Sequence, residues 1–293
     1  MINPFAGQDA TPVKDEALVA QAQRGDHASL EQLVKRHQPW IYNIALRMVF
    51  SPQDAEDVTQ EVLIKIITSL AGFKGRSQFR TWAYRIVANH VINMKKRRAE
   101  FSFTSFQRYG RGIDGTPDLD IPDPKAVPAD LPVIFDEVKT HCMMGMLLCL
   151  DRRQRLAFIL GELFHATDAV GAAIMGVSRD SFRQTLSRGR KQVYGFIQER
   201  CGLIDPANSC HCRKKAWAMI QGKAIDPARL EFNRDFVHRL KDICADKRRR
   251  LDSAIDRRAH DLFAGQPFQD PPDYARTMRS LLDSSEMKDI FEL

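Results

Sequence analysis

Between Phe73 and Arg98 the chain reads FKGRSQFRTWAYRIVANHVINMKKRR, where cations, carboxamides and aromatic rings alternate with aliphatic residues. Each of the first three kinds can act on a polyanion. Arg80 and Arg85, and the closing block Lys95, Lys96, Arg97 and Arg98, can neutralise phosphates and release their counterions. Asn89, Asn93 and His90 carry donors and acceptors that match base edges, and Trp82 offers a ring on which an unstacked base can lie. The mixture suits single-stranded or melting DNA. The plainer reading is a basic amphipathic helix in which Trp82 and Tyr84 are simply core.

A second cationic set follows in HATDAVGAAIMGVSRDSFRQTLSRGRKQV. A small-residue helix leads through a Gly176-Val177-Ser178 turn into a helix capped by Ser178, which carries Arg179, Ser181, Arg183, Gln184, Ser187, Arg188, Arg190 and Lys191. Two helices on a tight glycine turn, the second basic and rich in groups that reach bases, predict a helix-turn-helix reader of duplex DNA. A helical hairpin with a solvated basic face is the simpler alternative. Beyond it, Cys201, Cys210, His211 and Cys212 cluster. Zinc takes N or S ligands in a tetrahedron, with close pairs separated by about two to four residues. The Cys-x-Cys step and the distance back to Cys201 fit that pattern poorly, so a zinc or redox site stands open beside a cysteine-bearing structural loop. Cys142 and Cys149 read as small buried hydrophobes in an apolar helix.

Helices must position these groups. Leu18, Val19 and Ala22 predict one short helix and Gly25-Asp26 a turn; Leu30, Leu33, Val34, Trp40, Ile41, Ile44, Ala45 and Met48 predict a second. Ser51 and Pro52 cap and open a third, DAEDVTQEVLIKIITSL, whose first turns hold Asp54, Asp57, Gln60 and Glu61 while Val58, Val62, Ile66 and Leu70 face inward. Carboxylates there favour the helix dipole and need no partner to explain them. Residues 101–132 are rich in glycine, aspartate and proline, with Pro117, Pro122, Pro124, Pro128 and Pro132, and read as an acidic linker from which helices are excluded. A second helical block runs from Val133 to about Gln198.

The fold expected is all-α: helical domains at 15–100 and 133–200, the linker at 101–132 between them, and a helical C-terminal extension at 201–293. In the extension Trp217, Ile220, Leu230, Phe232, Phe236, Leu240 and Ile243 make an apolar set that needs a partner surface. Phe263, Pro267, Phe268, Pro271, Pro272 and Tyr274 read as a fixed aromatic and proline bend, and Asp283, Glu286, Asp289 and Glu292 as an acidic last helix.

The 293 residues carry a formal charge of +7, compatible with a polyanionic partner though weak evidence by itself. No run of about eighteen apolar residues suggests a membrane span and no apolar leader is visible, so a cytoplasmic protein without a membrane partner is expected. Six cysteines are too sparse for a secreted disulfide framework. HExxH, a phosphate-cradling loop and paired carboxylates in a glycine-framed site are all missing, which argues against an enzyme.

DAEDVTQEV, then FKGRSQFRTWAYRIVANHVIN, then LDRRQRLAFIL and AAIMGVSRDSFRQTLSRGR, in that order, resemble the extracytoplasmic-function sigma factors of bacterial RNA polymerase over roughly Asp15 to Arg200. The resemblance implies a subunit without catalysis that binds core polymerase, recognises promoter DNA and promotes its melting. It implies that Asp54, Asp57, Gln60 and Glu61 lie on the helix docking on the polymerase clamp, that Phe79 to Arg98 hold the minus-ten box, and that the helix-turn-helix reads the minus-thirty-five box. The acidic linker would thread the polymerase's nucleic-acid channels. The residues after Cys201 resemble an extension carried by a subset of these factors, and an anti-sigma factor is a further partner left open. The alternative is a helix-turn-helix regulator acting without polymerase, which would need neither DAEDVTQEV nor the strand-capturing stretch. The chain departs from the family at Val170-Gly171, where Glu-Ile is usual, and at Thr185. Glycine in place of an isoleucine knob predicts a loosely packed second domain.

Overall fold

The computed structural model describes residues 13–122, 131–233, 263 and 269–276. Its helices are α1 (Asp15–Ala22), α2 (His27–Val49), α3 (Pro52–Ser69), α4 (Phe79–Asn93), α5 (Arg98–Ser102), α6 (Phe106–Gly115), α7 (Leu131–Cys149), α8 (Arg152–Phe158), α9 (Asp168–Met175), α10 (Arg179–Arg200) and α11 (Cys212–Gln221). Among the described residues there is no strand, only an isolated bridge between Cys201 and Cys210.

Local chemistry sets the helix starts. Asp26 accepts from the amides of Ala28 and Ser29 to open α2, and Ser51 accepts from Asp54 ahead of Pro52 to open α3. Asp15 fastens α1 to α2 through Arg36 at 2.5 Å and His37 at 3.1 Å. Burial alone would raise that carboxyl, but His37 and Arg36 hold it down at about 2.

The linker needs a correction. Residues 106–115 are helical, as α6, because this part of the linker holds no proline and Ser105 caps it by accepting from the Arg108 amide at 3.2 Å. From Pro117 to Pro122 the chain is extended or bent, as proline dictates. This stretch is clipped to the extension, with Asp118 2.9 Å from Lys215 and Asp120 2.5 Å from Lys214, and α6 is clipped to the end of α10, with Asp114 2.5 Å from Arg200.

The two helical blocks meet in one continuous core that runs from Val62, Val87 and Val91 to Phe158, Ile174 and Phe182. The buried carboxylate of Glu100 holds the seam. It accepts from Arg152 at 2.7 Å, Arg155 at 3.2 Å and the Arg97 amide at 3.0 Å. Burial would raise Glu100, yet Arg152, the Arg97 amide and Arg155 hold it below the ordinary value. Arg152 also donates to the carbonyls of Ile92 at 3.1 Å, Met94 and Lys95 at 3.2 Å, a cation placed at the carbonyl end of α4. Arg155, only 2% exposed, donates to the carbonyls of Leu147, Leu148, Leu150 and Met48. A guanidinium can be buried here because these carbonyls and Glu100 replace the water it gives up.

The loose packing expected at Gly171 is also corrected. A Cβ at that position would lie 2.3 Å from the Phe182 ring, so the space of the missing side chain is filled from α10. Phe182 is 1% exposed. The glycine therefore permits close approach of the two helices rather than leaving a void.

The extension packs along the second block. Ala216 and Ile225 join Ile134 and Val138 in a small cluster beneath α11. Glu137, buried on α7, accepts from the amides of Glu231 at 2.7 Å and Phe232 at 3.0 Å and from the Asn233 carboxamide at 2.6 Å. Phe232 sits on Phe50 and His141, with ring centroids 5.5 and 4.9 Å away, and Phe263 lies 5.1 Å from Phe158. Phe236, Leu240, Ile243, Pro267, Phe268 and the acidic set from Asp283 to Glu292 lie outside the described residues.

Candidate nucleic-acid interface

The stretch opening with Phe73 folds as a loop and α4. Phe73, Phe79 and Trp82 form an aromatic knot with centroids 5.2–5.8 Å apart, so Trp82 is half-buried and serves first as packing. Arg80 is half-buried. Arg85, Asn89 and Asn93 repeat at the spacing of successive helix turns and are exposed, as are Lys95, Lys96 and Arg98 beyond the helix end. They make an outward row of guanidinium, carboxamides and ammonium groups. The Asn93 carboxamide donates to the Asn89 carbonyl at 2.8 Å.

His90 and Arg97 point the other way. His90 is buried, with Nδ1 2.6 Å from the Lys65 ammonium and Nε2 3.2 Å from Glu61. Burial, then the neighbouring Lys65, lowers its basicity against the pull of Glu61, which keeps the ring neutral at pH 7. Arg97 reaches Glu61 at 3.4 Å and Asp54 at 3.8 Å. Between α3 and α4 lies a cleft of about 540 Å³ lined by Glu61, Lys65, Asn89, His90, Asn93 and Lys95 among others. Its walls offer amide, ammonium and carboxylate groups, a set able to meet both the edge of a base and its phosphate.

The acidic turn of α3 is divided as well. Asp57 and Glu61 are exposed, whereas Asp54 and Gln60 are half-buried. Because Glu61 and Asp54 are held by the Arg97 guanidinium just beyond the end of α4, with His90 and Lys65 alongside, α3 and α4 share one polar network, which spacing alone does not reveal.

The second cationic set lies on α9 and α10. Gly176 adopts φ +66°, the left-handed turn expected of a glycine there, and Ser178 caps α10 by accepting from Ser181 at 3.1 Å. Ser178, Arg179, Ser181, Arg183, Gln184, Ser187, Arg188, Arg190 and Lys191 are all on the exposed side, opposite Phe182, Leu186, Val193 and Ile197. Two of the arginines have structural partners. Arg183 pairs with Asp168 and Asp180, and Arg190 with Glu162, whose other oxygen accepts from Tyr194 at 2.5 Å. Arg179, Gln184, Arg188 and Lys191 are then the long side chains best placed to reach a groove. Helix α4 packs on α9, and Arg85 stands against the Gly176 turn.

Among the described residues no group of three or more His, Cys, Asp or Glu is disposed to hold an ion. Cys201 and Cys210 pair through backbone, Cys212 opens α11 and His211 is exposed. Burial raises the thiols of Cys201 and Cys210 and pushes Cys212 up to about 12, which disfavours the thiolate that metals and oxidants require. Among the described residues no helix is long and apolar enough to cross a membrane.

Sequence reasoning missed Glu100, Arg155, Glu137 and Asn43, all buried and polar. A charged residue interrupting an apolar helical face, as Glu137 does between Ile134 and Val138, is the signal that could have found one of them.

Comparison with known proteins points to one family. The sigma-70 region 2 family matches residues 33–101, from within α2 to α5. The ECF RNA polymerase sigma-E factor of Escherichia coli K12 is 40% identical over 187 residues, covering 63% of this chain and 94% of its own. Its counterpart in Haemophilus influenzae is 29% identical over 196 residues, 64% of this chain and 98% of its own. The RNA polymerase sigma-H factor of Pseudomonas aeruginosa is 41% identical over 83 residues, 28% of this chain and 43% of its own. A solved structure of CnrH in complex with the cytosolic domain of CnrY covers 63% of this chain and 97% of its own, at TM-score 0.45 and 20% identity.

Proposed function

This chain belongs to the ECF sigma factors of RNA polymerase, and from that premise we propose how its surfaces share the work of transcription initiation. As a sigma factor it has core polymerase and promoter DNA for partners. We assign docking on core polymerase to the acidic turn of α3, with Asp57 and Gln60 as direct contacts. Asp54 and Glu61 contribute there and also orient Arg97 and His90. The outward row Arg85, Asn89, Asn93, Lys95, Lys96 and Arg98 holds the separated strand of the minus-ten box, and the cleft beside it takes an unstacked base. Arg179, Gln184, Arg188 and Lys191 on α10 read the minus-thirty-five duplex through the major groove.

The observation that carries this reading is the partition of α4. Asn89, Asn93 and Lys95 line the cleft with exposed side chains, while His90 and Arg97, which line it too, are turned to carboxylates of α3. Arg85 stands against the Gly176 turn and α4 packs on α9, so the helices that carry the two proposed reading surfaces are in contact.

Run-off transcription with core polymerase tests the proposal. The full chain should give a specific transcript that core alone does not. Asp57→Lys should weaken core binding by at least tenfold with the thermal melt unchanged, because Asp57 is exposed at the surface. Unchanged affinity would remove α3 from the docking role. Asn89→Ala should change which base is preferred in the minus-ten box, whereas Lys96→Ala should weaken all sequences alike.

A further inference from the structure

Residues 269–276 lie across α2 and α3, far in sequence from either. The contact begins at Asn43, whose side chain is fully buried. Its carboxamide donates to the Gln269 carbonyl at 2.9 Å and accepts from the Gln269 amide at 3.2 Å, a two-point grip on one residue's backbone. The same carboxamide oxygen accepts from Arg47 at 2.7 Å. A floor of carboxamide and guanidinium, with Thr59 beside it, is made for an extended backbone rather than for an apolar side chain. Pro271 and Pro272 keep the segment extended, and Tyr274 and Ala275 are buried at its far end. The Tyr274 ring lies on the Tyr42 and Thr59 side of the groove. The Gln269 side chain donates back to the Phe232 carbonyl, which ties the segment to the part of the extension anchored by Glu137.

We propose that residues 269–276 are an internal inhibitor of polymerase docking: this strap and core polymerase compete for the α2–α3 face. The inference rests on the assignment of α3 as the docking helix. Tyr274, 5% exposed, lies beside Thr59, one residue from Gln60, at the base of the docking turn, so a partner that covers α2 and the base of that turn contends with the strap, while Asp57 and Glu61 stay exposed beside it. The strap is held by a few hydrogen bonds and one aromatic ring, a contact weak enough for a large interface to displace. The occupant is a segment of this chain, seated on its groove, and it commits the extension to a function the two reading blocks do not supply.

The test locks the strap in the full-length chain. Asn43→Cys with Gln269→Cys joins groove to strap by a disulfide that reductant opens, and core affinity is measured before and after reduction, beside the unaltered chain under the same treatment. The locked chain should bind core at least tenfold more weakly than after reduction. Equal binding in both states, with the crosslink verified by mass, overturns the proposal. Tyr274→Ala should act the other way and tighten core binding about three- to tenfold. If that variant loses its cooperative melt, the lock alone decides. Failure of the two readings is distinguishable: if the unaltered chain binds no core under any condition the sigma assignment of α3 fails, whereas tight binding indifferent to the lock sinks only the strap.

Discussion

The two reader helices of this chain are positioned on opposite plans. Helix α4 sets an apolar face of Phe79, Tyr84, Val87 and Val91 in the core, but its C-terminal end is fixed by charge: Arg97 just beyond it reaches carboxylates of α3, and Arg152 clasps the carbonyls at its end while bonding Glu100. Helix α10 is placed by shape, with Phe182 seated in the space above Gly171 and its apolar face closed by Leu186, Val193 and Ile197. Its ion pairs with Asp168 and Asp180 lie at the edge, where their worth is small. On the proposed roles, a change at the acidic turn of α3 should be felt by α4, which shares its network, while α10 should stay indifferent to it.

The hardest blow to that contrast falls at Glu100. Glu100→Gln leaves Arg152 and Arg155 without their carboxylate in a buried seam and should cost about 3–5 kcal/mol of unfolding free energy, measured by chemical denaturation. A cost under about 1 kcal/mol would mean that charge does not hold α4. Gly171→Ala strikes the other plan. Its methyl group would enter the Phe182 ring, so a cost of about 1–3 kcal/mol is expected, with the α9–α10 unit melting first in hydrogen exchange.

Acid should act on the seat of the extension through His141 and, in the same direction, on α4 through His90 and Glu100. Burial lowers His141 to about 4, so the folded chain keeps this ring neutral while the unfolded chain protonates near 6.5. The stability present above pH 6.5 is therefore lost as pH falls toward 4, by roughly 1–3 kcal/mol after allowance for Glu137 and Glu231 nearby. His141→Phe should flatten that part of the stability profile, and an unchanged slope would take the titration away from His141.

The finest discrimination compares three cations. Lys96→Ala and Arg188→Ala should leave stability within about 0.5 kcal/mol and lower the salt slope of DNA binding by about 0.7–0.9 for each phosphate that is no longer neutralised. Arg97→Ala should in addition weaken core binding, since Glu61 and Asp54 are no longer held in place by its guanidinium. If Arg97→Ala behaves as Lys96→Ala does, the network between α3 and α4 has no functional weight.

Much of this organisation is legible in the chain. Ser51-Pro52, the Gly176 turn and the Ser178 cap mark helix ends through local chemistry, and the helices begin and end at those residues. The outward residues of α10 are legible because helical spacing separates them from Phe182, Leu186 and Val193. The same reasoning cannot divide α4, since spacing does not say whether a cation faces water or a carboxylate brought from another helix. It also misjudges Gly171, because the side chain that fills the gap comes from α10, and it overextends the reach of proline into residues 106–115. Asn43 is invisible for a related reason: its partner is Gln269, on the far side of both reading blocks.

That last pairing spans 226 positions. A contact of such separation is made late, because loop closure must wait for the chain between its ends, and during synthesis it cannot exist until Gln269 has emerged. The N-terminal helices can fold first, with the polar floor of Asn43 and Arg47 still open. On the proposed docking role, a newly made chain would pass through an interval in which its α2–α3 groove faces solvent and polymerase already present would have first access to it. The order of synthesis thereby sets a time window that the finished molecule no longer displays.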